Sequence, residues 1–96
     1  ILGKALYFSR SPIPYERNNF DAYFKHIGIY GFKRSTLLEI TKLKPSPMEK
    51  AESLEQLRWL ENGYSIDCGI TNLESPNVDQ PSDISIVESY LKGVQD

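Results

Sequence analysis

Two residues near opposite ends of the chain have side chains that could bind an anion and a metal ion. The guanidinium of Arg10 could hold a carboxylate through two parallel hydrogen bonds, which a lysine could not reproduce. The alternative is that Arg10 is an ordinary surface residue. Asp79 stands near the predicted start of a helix, where its carboxylate could bind magnesium or cap the helix N-terminus. Residue chemistry alone favours the capping role.

Four other polar residues could contact a small polar ligand. His26 precedes a glycine-containing predicted strand, and Tyr30 lies on the same side of it because strand faces repeat every two residues. An isolated histidine is more often a structural residue, and a tyrosine can simply cap a core. Glu55 and Gln56 would ordinarily belong to a solvated helix face. Trp59, on the same face, is rarely fully exposed, so the nature of that face stays open.

Composition limits the 96-residue chain to one domain at most and excludes several kinds of partner. The net charge of −2 provides no basic field that would attract nucleic acid or an anionic membrane. No apolar run approaches the roughly 20 residues of a membrane span, and residues 1–4 do not resemble a signal peptide. Cys68 is the only cysteine, so it forms no internal disulfide, and we expect a cytoplasmic protein.

The apolar pattern predicts three strands and three helices in an α/β layer structure. The predicted elements are strands at Lys4–Ser9, Ile27–Phe32 and Tyr64–Ile70, and helices at Ser35–Lys42, Pro47–Asn62 and Pro81–Lys92. The connections include an extended segment at Ser11–Pro14, a polar loop at Tyr15–Asp21 and a loop at Asn72–Val78. Because strand character begins almost at residue 1, we expect the chain to be the end of a longer protein.

The helix after Ser46 has the strongest local signal. Ser46 can be the N-cap, Pro47 suits the first helical position, and Glu49 completes a capping box. Gly63 stands where a left-handed C-terminal cap would lie. Three-residue spacing predicts one buried stripe, formed by Met48, Ala51, Leu54, Leu57 and Leu60.

Four segments resemble, in order, the motifs of the CMP-Kdo synthetase family, the 3-deoxy-manno-octulosonate cytidylyltransferases. The family motifs are ALYFSR-x-x-IP, (K/R)H-x-GIYG-(Y/F), PSPLE followed by LEQLR, and VDTPEDL. The matching segments here are ALYFSRSPIPY at 5–15, KHIGIYGF at 25–32, PSPME to LEQLR at 45–58, and VDQPSDI at 78–84. Together the segments cover nearly the whole chain.

This resemblance implies the carboxyl-terminal portion of a Rossmann-like nucleotidyltransferase fold, also called the nucleotide-diphospho-sugar transferase fold. Family members carry a CTP-binding phosphate loop and another metal-binding aspartate in an amino-terminal half, and neither is present here. Residues 1–96 would then be a single fragment for sugar-acid binding and dimerisation, inactive alone. The implied partners are CTP, Kdo and a second subunit, which the segment after the first strand would contact.

The resemblance also implies a reaction and roles for named residues. The family joins Kdo to the α-phosphorus of CTP and releases pyrophosphate, for lipopolysaccharide biosynthesis. It implies Mg²⁺ as cofactor, Asp79 as its ligand and catalytic residue, and Kdo binding by Arg10, His26, Tyr30, Glu55 and Gln56. Two departures from the motif, Gln80 and Ser82, put the helix start rather than the ligand in question.

Two other hypotheses remain open from the sequence. A cytidylyltransferase acting on a related sugar acid would use the same kinds of side chain. A non-catalytic dimerisation module would need no upstream CTP loop.

Overall fold

A computed structural model describes residues 3–73 and 78–94 as helices beside a small sheet, a partial α/β arrangement. The elements are β1 (Gly3–Lys4), α1 (Arg34–Ile40), α2 (Pro47–Glu52), α3 (Gln56–Glu61), β2 (Asp67–Cys68) and α4 (Asp83–Val94). β1 and β2 pair antiparallel, with Gly3 opposite Cys68. Within the described ranges, no helix combines the length and the apolar character that crossing a membrane would require.

The first and third predicted strands are much shorter than expected. The Lys4–Ser9 prediction is correct only at Lys4, and one further bond joins the Ala5 N–H to the Ile66 carbonyl at 2.8 Å. The Tyr64–Ile70 prediction is correct only at Asp67–Cys68. A strand needs a neighbour that satisfies its backbone groups, and the described residues provide one only along this short stretch.

The second predicted strand, Ile27–Phe32, is not a strand at all. The Ile29 N–H donates to the Ile27 carbonyl at 2.8 Å, a tight turn that interrupts the extended path. Ile29 is 83% exposed, so its apolar side chain has almost no cover within the described residues. The β-branched composition indicated a strand, but a strand forms only where another strand pairs with it.

The long helix predicted from Pro47 to Asn62 is broken into α2 and α3. Its start is confirmed: Ser46 is the N-cap, Pro47 follows, and the Ser46 N–H donates to Glu49 Oε1 at 2.9 Å in a capping box. The break lies at Ser53, whose φ of 54° is left-handed. That conformation costs a residue with a Cβ about 1–2 kcal/mol, so contacts elsewhere must stabilise it.

The break changes which residues are buried. Of the predicted apolar stripe, Leu57 is buried and Leu54 and Leu60 are half-buried, whereas Met48 and Ala51 are exposed. The buried face of α3 consists of Gln56, Leu57 and Trp59. A three-residue spacing describes one face only if the helix is continuous, and the turn at Ser53 ends that continuity.

The predicted C-terminal cap of α3 is confirmed. Gly63 has a φ of 85°, which only glycine adopts at little cost. The Gly63 N–H donates to the Leu60 carbonyl at 3.1 Å, and the Tyr64 N–H donates to the Trp59 carbonyl at 3.0 Å. This pair of bonds is a Schellman motif. The Tyr64 hydroxyl then donates to Glu39 Oε2 at 3.0 Å, which connects the end of α3 to α1.

The remaining helix predictions are confirmed to within two residues at each end. α1 occupies Arg34–Ile40 in place of Ser35–Lys42, and α4 occupies Asp83–Val94 in place of Pro81–Lys92. Residues 11–21 are exposed and contain no helix or strand, as predicted. The predicted Asn72–Val78 loop lies partly outside the described residues.

The described hydrophobic core is small, consisting of Ile40, Leu57 and Trp59. Leu57 is 1% exposed and is the largest fully buried side chain in these ranges. The buried apolar side chains of the described residues therefore lie at the end of α1 and along α3.

We predict that Leu57→Ala, made in the full-length protein, lowers the free energy of unfolding by about 2–5 kcal/mol, because it leaves a cavity in the core. The matched control is Leu38→Ala on α1, where the leucine is 54% exposed and the loss should be much smaller. Urea unfolding of both variants measures the difference. Equal losses would contradict the assignment of Leu57 to the core.

Candidate functional site

The start of α3, α1 and the segment before it line an open cavity of about 390 Å³, here called the α3 cavity. Three predicted ligand-binding residues line it: Tyr30, Glu55 and Gln56. Its apolar wall includes Phe32, Ile40 and Trp59. The Trp59 ring meets Tyr30 and Phe32 edge to face, with ring centroids 5.1 and 5.2 Å apart. The aromatic contacts fix the orientation of Tyr30 within the cavity.

His26 and Tyr30 contact each other directly. The Tyr30 hydroxyl lies 2.6 Å from His26 Nε2, and the His26 ring packs edge-on against Phe8 at a centroid distance of 4.9 Å. Partial burial lowers the pKa of His26 below its ordinary value, which favours the neutral imidazole. Burial, together with the nearby Cys68 and Glu55, raises the pKa of Tyr30. The phenol therefore stays protonated at neutral pH and can donate.

Gln56 and Glu55 differ in burial although they are adjacent. Glu55 is exposed, whereas Gln56 is only 4% exposed. No described residue accepts a hydrogen bond from Gln56 Nε2. Leaving a buried amide donor unpaired costs about 1–3 kcal/mol, so Gln56 Nε2 is a donor that still lacks an acceptor among the described residues.

Arg10 lies at the C-terminal end of α2. Its Nη2 donates to the Ser53 carbonyl at 2.8 Å, its Nε donates to the Glu52 carbonyl, and its backbone N–H donates to Glu52 Oε1 at 3.0 Å. In the part of the chain that is described, its Nη1 group has no hydrogen bond. Arg10 is thus engaged with backbone carbonyls while keeping donors available on an exposed guanidinium.

Asp79 lies apart from these residues. Its side chain is exposed, and it borders neither the α3 cavity nor the larger groove along β1 and β2. Asp83, the first residue of α4, reaches back across this turn, and its Oδ2 accepts the N–H groups of Asp79 and Gln80 at 3.1 Å each. Residues 3–73 and 78–94 contain no cluster of three His, Cys, Asp or Glu residues that could hold a metal.

The structure thus places Tyr30, Glu55 and Gln56 in the lining of the α3 cavity and sets His26 against Tyr30. Arg10 lies at the adjoining helix end, and Asp79 is separate. Sequence reasoning missed Glu52, which accepts the Arg10 N–H and lies at the end of α2. It also left Arg58 out of the site, although Arg58 lines the α3 cavity. For Glu52 the available signal was its i, i+3, i+4, i+7 spacing with Glu55, Gln56 and Trp59, which defines one face only in the continuous helix that the sequence predicted.

Arg58 pairs with Glu49 across the α2–α3 corner. Its Nε donates to Glu49 Oε1 at 2.8 Å and its Nη2 donates to Glu49 Oε2 at 2.5 Å, a bidentate ion pair. The Arg58 guanidinium, with the Ser46 N–H, holds the pKa of Glu49 below its ordinary value of 4.5. The pair fixes α3 against the start of α2.

We predict that Glu49 stabilises the fold at neutral pH and loses this effect in acid. Because the folded-state pKa is lowered, its contribution is complete above 4.5, the ordinary value, and disappears as pH falls through the folded-state pKa. In the Glu49→Gln variant, the free energy of unfolding should therefore fall less steeply than in wild type as the pH is lowered. Urea unfolding at a series of pH values measures this.

The matched control is Glu88→Gln on α4, because the Glu88 side chain is exposed and makes no hydrogen bond or ion pair with any described residue. That variant should reproduce the wild-type curve. The assignment of Glu49 is wrong if both variants behave alike.

Comparison with known proteins relates these residues to a protein family. Residues 2–67 match the cytidylyltransferase family. A 3-deoxy-manno-octulosonate cytidylyltransferase from Phocaeicola vulgatus is 49% identical over 102 residues, covering 96% of this chain and 40% of the relative. Proteins of the same name from Chloroherpeton thalassium and Chlamydia abortus are 54% and 53% identical, each covering 93% of this chain. The matched region covers 37% and 35%, respectively, of the length of these two relatives.

A solved structure of CMP:2-keto-3-deoxy-manno-octonic acid synthetase, complexed with CTP, superimposes on the chain with a TM-score of 0.86. The two sequences are 43% identical. The matched region covers 96% of this chain and 39% of the synthetase chain. The chain spans about two fifths of the length of the curated relatives it matches. The resemblance to CMP-Kdo synthetases that the motifs indicated is confirmed, and the chain belongs to the cytidylyltransferase family.

Proposed function

We propose that this chain is the sugar-acid-binding part of an enzyme that transfers CMP from CTP to Kdo, giving CMP-Kdo and pyrophosphate for lipopolysaccharide biosynthesis. The observation that carries the proposal is the 43% identical synthetase structure complexed with CTP, which covers 96% of the chain at a TM-score of 0.86. The activity belongs to a full-length protein, because the matched relatives are more than twice as long. The chain would supply the carboxyl-terminal elements of a Rossmann-like nucleotidyltransferase fold.

The α3 cavity has the chemistry that a polyhydroxylated sugar requires. Gln56 Nε2 is a buried donor with no acceptor among the described residues, and Tyr30, the pKa of which burial raises, lines the same cavity. Glu55 adds a carboxylate that accepts hydrogen bonds from hydroxyl groups. We assign Glu55, Gln56, Tyr30 and His26 to the Kdo hydroxyl groups. His26 contributes a neutral ring nitrogen, because burial lowers its pKa.

Arg10 is assigned to the Kdo carboxylate. Its Nη1 group has no hydrogen bond among the described residues, and the bonds from Nε and Nη2 to backbone carbonyls hold the guanidinium plane in one orientation. A fixed planar fork loses less side-chain entropy on binding a carboxylate than a free arginine does. Arg10 would thus combine a structural and a binding role.

Asp79 is assigned to Mg²⁺ as the ligand contributed by this chain. Its exposed carboxylate forms no side-chain hydrogen bond with a described residue, and Mg²⁺ commonly takes one or two carboxylates together with substrate phosphates and water. The donor chemistry therefore fits. Bound Mg²⁺ would neutralise phosphate charge during attack by the Kdo anomeric hydroxyl on the α-phosphorus. Pyrophosphate would be the leaving group.

We propose in addition that the full-length protein is a homodimer and is located in the cytoplasm. The segment from Ser11 to Phe24 follows β1 and carries apolar rings with little cover: Tyr15 is 88% exposed and Phe24 is 70% exposed. Rings this exposed are typical of a surface that a partner covers. The Tyr23 hydroxyl donates to the Pro14 carbonyl at 3.1 Å, which gives the segment a defined shape.

The test of this function is pyrophosphate release by the full-length protein given CTP, Mg²⁺ and Kdo, beside a panel of related sugar acids. Release with Kdo, and not with the panel, is the expected result. Release with another acid and not with Kdo would identify that acid, in place of Kdo, as the substrate. The absence of release with every acid would overturn the enzymatic assignment and favour a non-catalytic dimerisation module.

We predict that Asp79→Asn in the full-length protein lowers Mg²⁺-dependent turnover by about 100-fold or more, because the amide removes the charge that binds the ion. Far-ultraviolet circular dichroism should stay unchanged, since the Asp79 side chain is exposed. Asp67→Asn, an exposed carboxylate on β2, is the matched control and should keep wild-type turnover. Near-normal turnover by Asp79→Asn would reject it as a metal ligand.

A further inference from the structure

The corner between α2 and α3 is held by a residue pair from two distant parts of the chain. The Arg10 backbone N–H donates to Glu52 Oε1, and the Arg10 guanidinium donates to the carbonyls of Glu52 and Ser53. Each residue thus uses its side chain to bind the other's backbone. We call these three hydrogen bonds the Arg10–Glu52 clamp.

The corner needs such a clamp for two reasons. The last carbonyls of a helix have no partner within the helix, and α2 ends at Glu52. Ser53 then adopts a left-handed conformation, with φ at 54°, that a residue with a side chain rarely takes. No glycine is present to reduce the strain, so the clamp supplies donors to the two carbonyls at this turn.

The same corner sets the position of two ligand-binding residues. Glu55 and Gln56 follow Ser53 by two and three residues and begin α3. On the other side of the corner, the ion pair between Glu49 and Arg58 fixes α3 to α2. The positions of Glu55 and Gln56 in the lining of the α3 cavity therefore depend on the angle that the turn at Ser53 gives to α3.

We propose that Glu52 is a positioning residue for the sugar acid, which holds Glu55 and Gln56 in their binding geometry through the Arg10–Glu52 clamp without contacting the substrate. This inference rests on the proposed function. It adds a role that residue type alone did not suggest, since a helical glutamate is usually a solvated surface residue.

The surroundings of Glu52 support this role over that of a surface carboxylate. Glu52 is half-buried, and hydrogen bonds from the Arg10 N–H and the Ser9 and Tyr7 side chains lower its pKa. The carboxylate is therefore ionised at neutral pH, and the Arg10 N–H at the end of this segment donates to it at 3.0 Å. A displaced carboxylate would release that segment and the α2 end together.

The test compares Glu52→Ala, Glu52→Gln and the control Glu88→Ala in the full-length protein. Glu52→Ala should raise KM for Kdo about tenfold while kcat and KM for CTP stay within about twofold, because only sugar-binding groups are displaced. Glu52→Gln keeps an acceptor oxygen for the Arg10 N–H and should recover most of the loss. Glu88→Ala should match wild type, since Glu88 has no partner among the described residues.

A second readout does not depend on activity. Amide hydrogen exchange within residues 53–58 should quicken in Glu52→Ala and not in Glu88→Ala, because the clamp restrains this turn. Equal kinetic effects on both substrates, an unchanged KM for Kdo, or unchanged exchange would each overturn the inference. Should wild type release no pyrophosphate, the proposed function fails, and unchanged exchange would then also refute the clamp.

Discussion

The Glu49 carboxylate connects two helices that the sequence would otherwise allow to separate. Its Oε1 accepts the Ser46 N–H at the start of α2 and the Arg58 Nε from α3, while Oε2 accepts the second arm of the guanidinium. One side chain therefore caps one helix and fixes the direction of the next. Together with the hydrogen bonds from the Met48 N–H to the Glu61 carboxylate, this double contact holds α3 and its buried face against the start of α2.

A series of ring contacts links the irregular part of the chain to α3. Phe8 packs on His26, His26 contacts Tyr30, and Tyr30 meets Trp59, with centroid distances between 4.9 and 5.6 Å. Segments outside helices and strands have few backbone hydrogen bonds to hold their conformation. Edge-to-face aromatic packing supplies direction as well as buried area. It explains how residues on an irregular segment can line a cavity beside a helix.

Features that depend on adjacent residues could be predicted from the sequence, and features that depend on distant contacts could not. The capping box at Ser46 and the left-handed cap at Gly63 are local, and both are present. The turn at Ser53 depends on Arg10, more than 40 residues earlier, and no periodicity reveals it. The strand expected at Ile27–Phe32 was inferred from side-chain type, which cannot tell whether a neighbour pairs with it.

The same distinction between local features and distant contacts applies to the candidate site. His26 and Tyr30 were expected on one side of a strand; they do meet, but across a turn. Their role in binding, with that of Glu55 and Gln56, remains a prediction. The involvement of Glu52 follows from packing between segments that are remote in sequence.

The Schellman motif after α3 has a chemical consequence for the lifetime of the chain. Asn62 precedes Gly63, and asparagine–glycine pairs are prone to deamidation, in which the glycine nitrogen attacks the asparagine side-chain carbonyl. Here the Gly63 N–H is hydrogen-bonded to the Leu60 carbonyl, and Asn62 Nδ2 donates to the Arg58 carbonyl at 2.7 Å. The Gly63 N–H and the Asn62 side-chain amide must both give up these hydrogen bonds before the ring can close, so the motif that ends the helix should slow deamidation of Asn62.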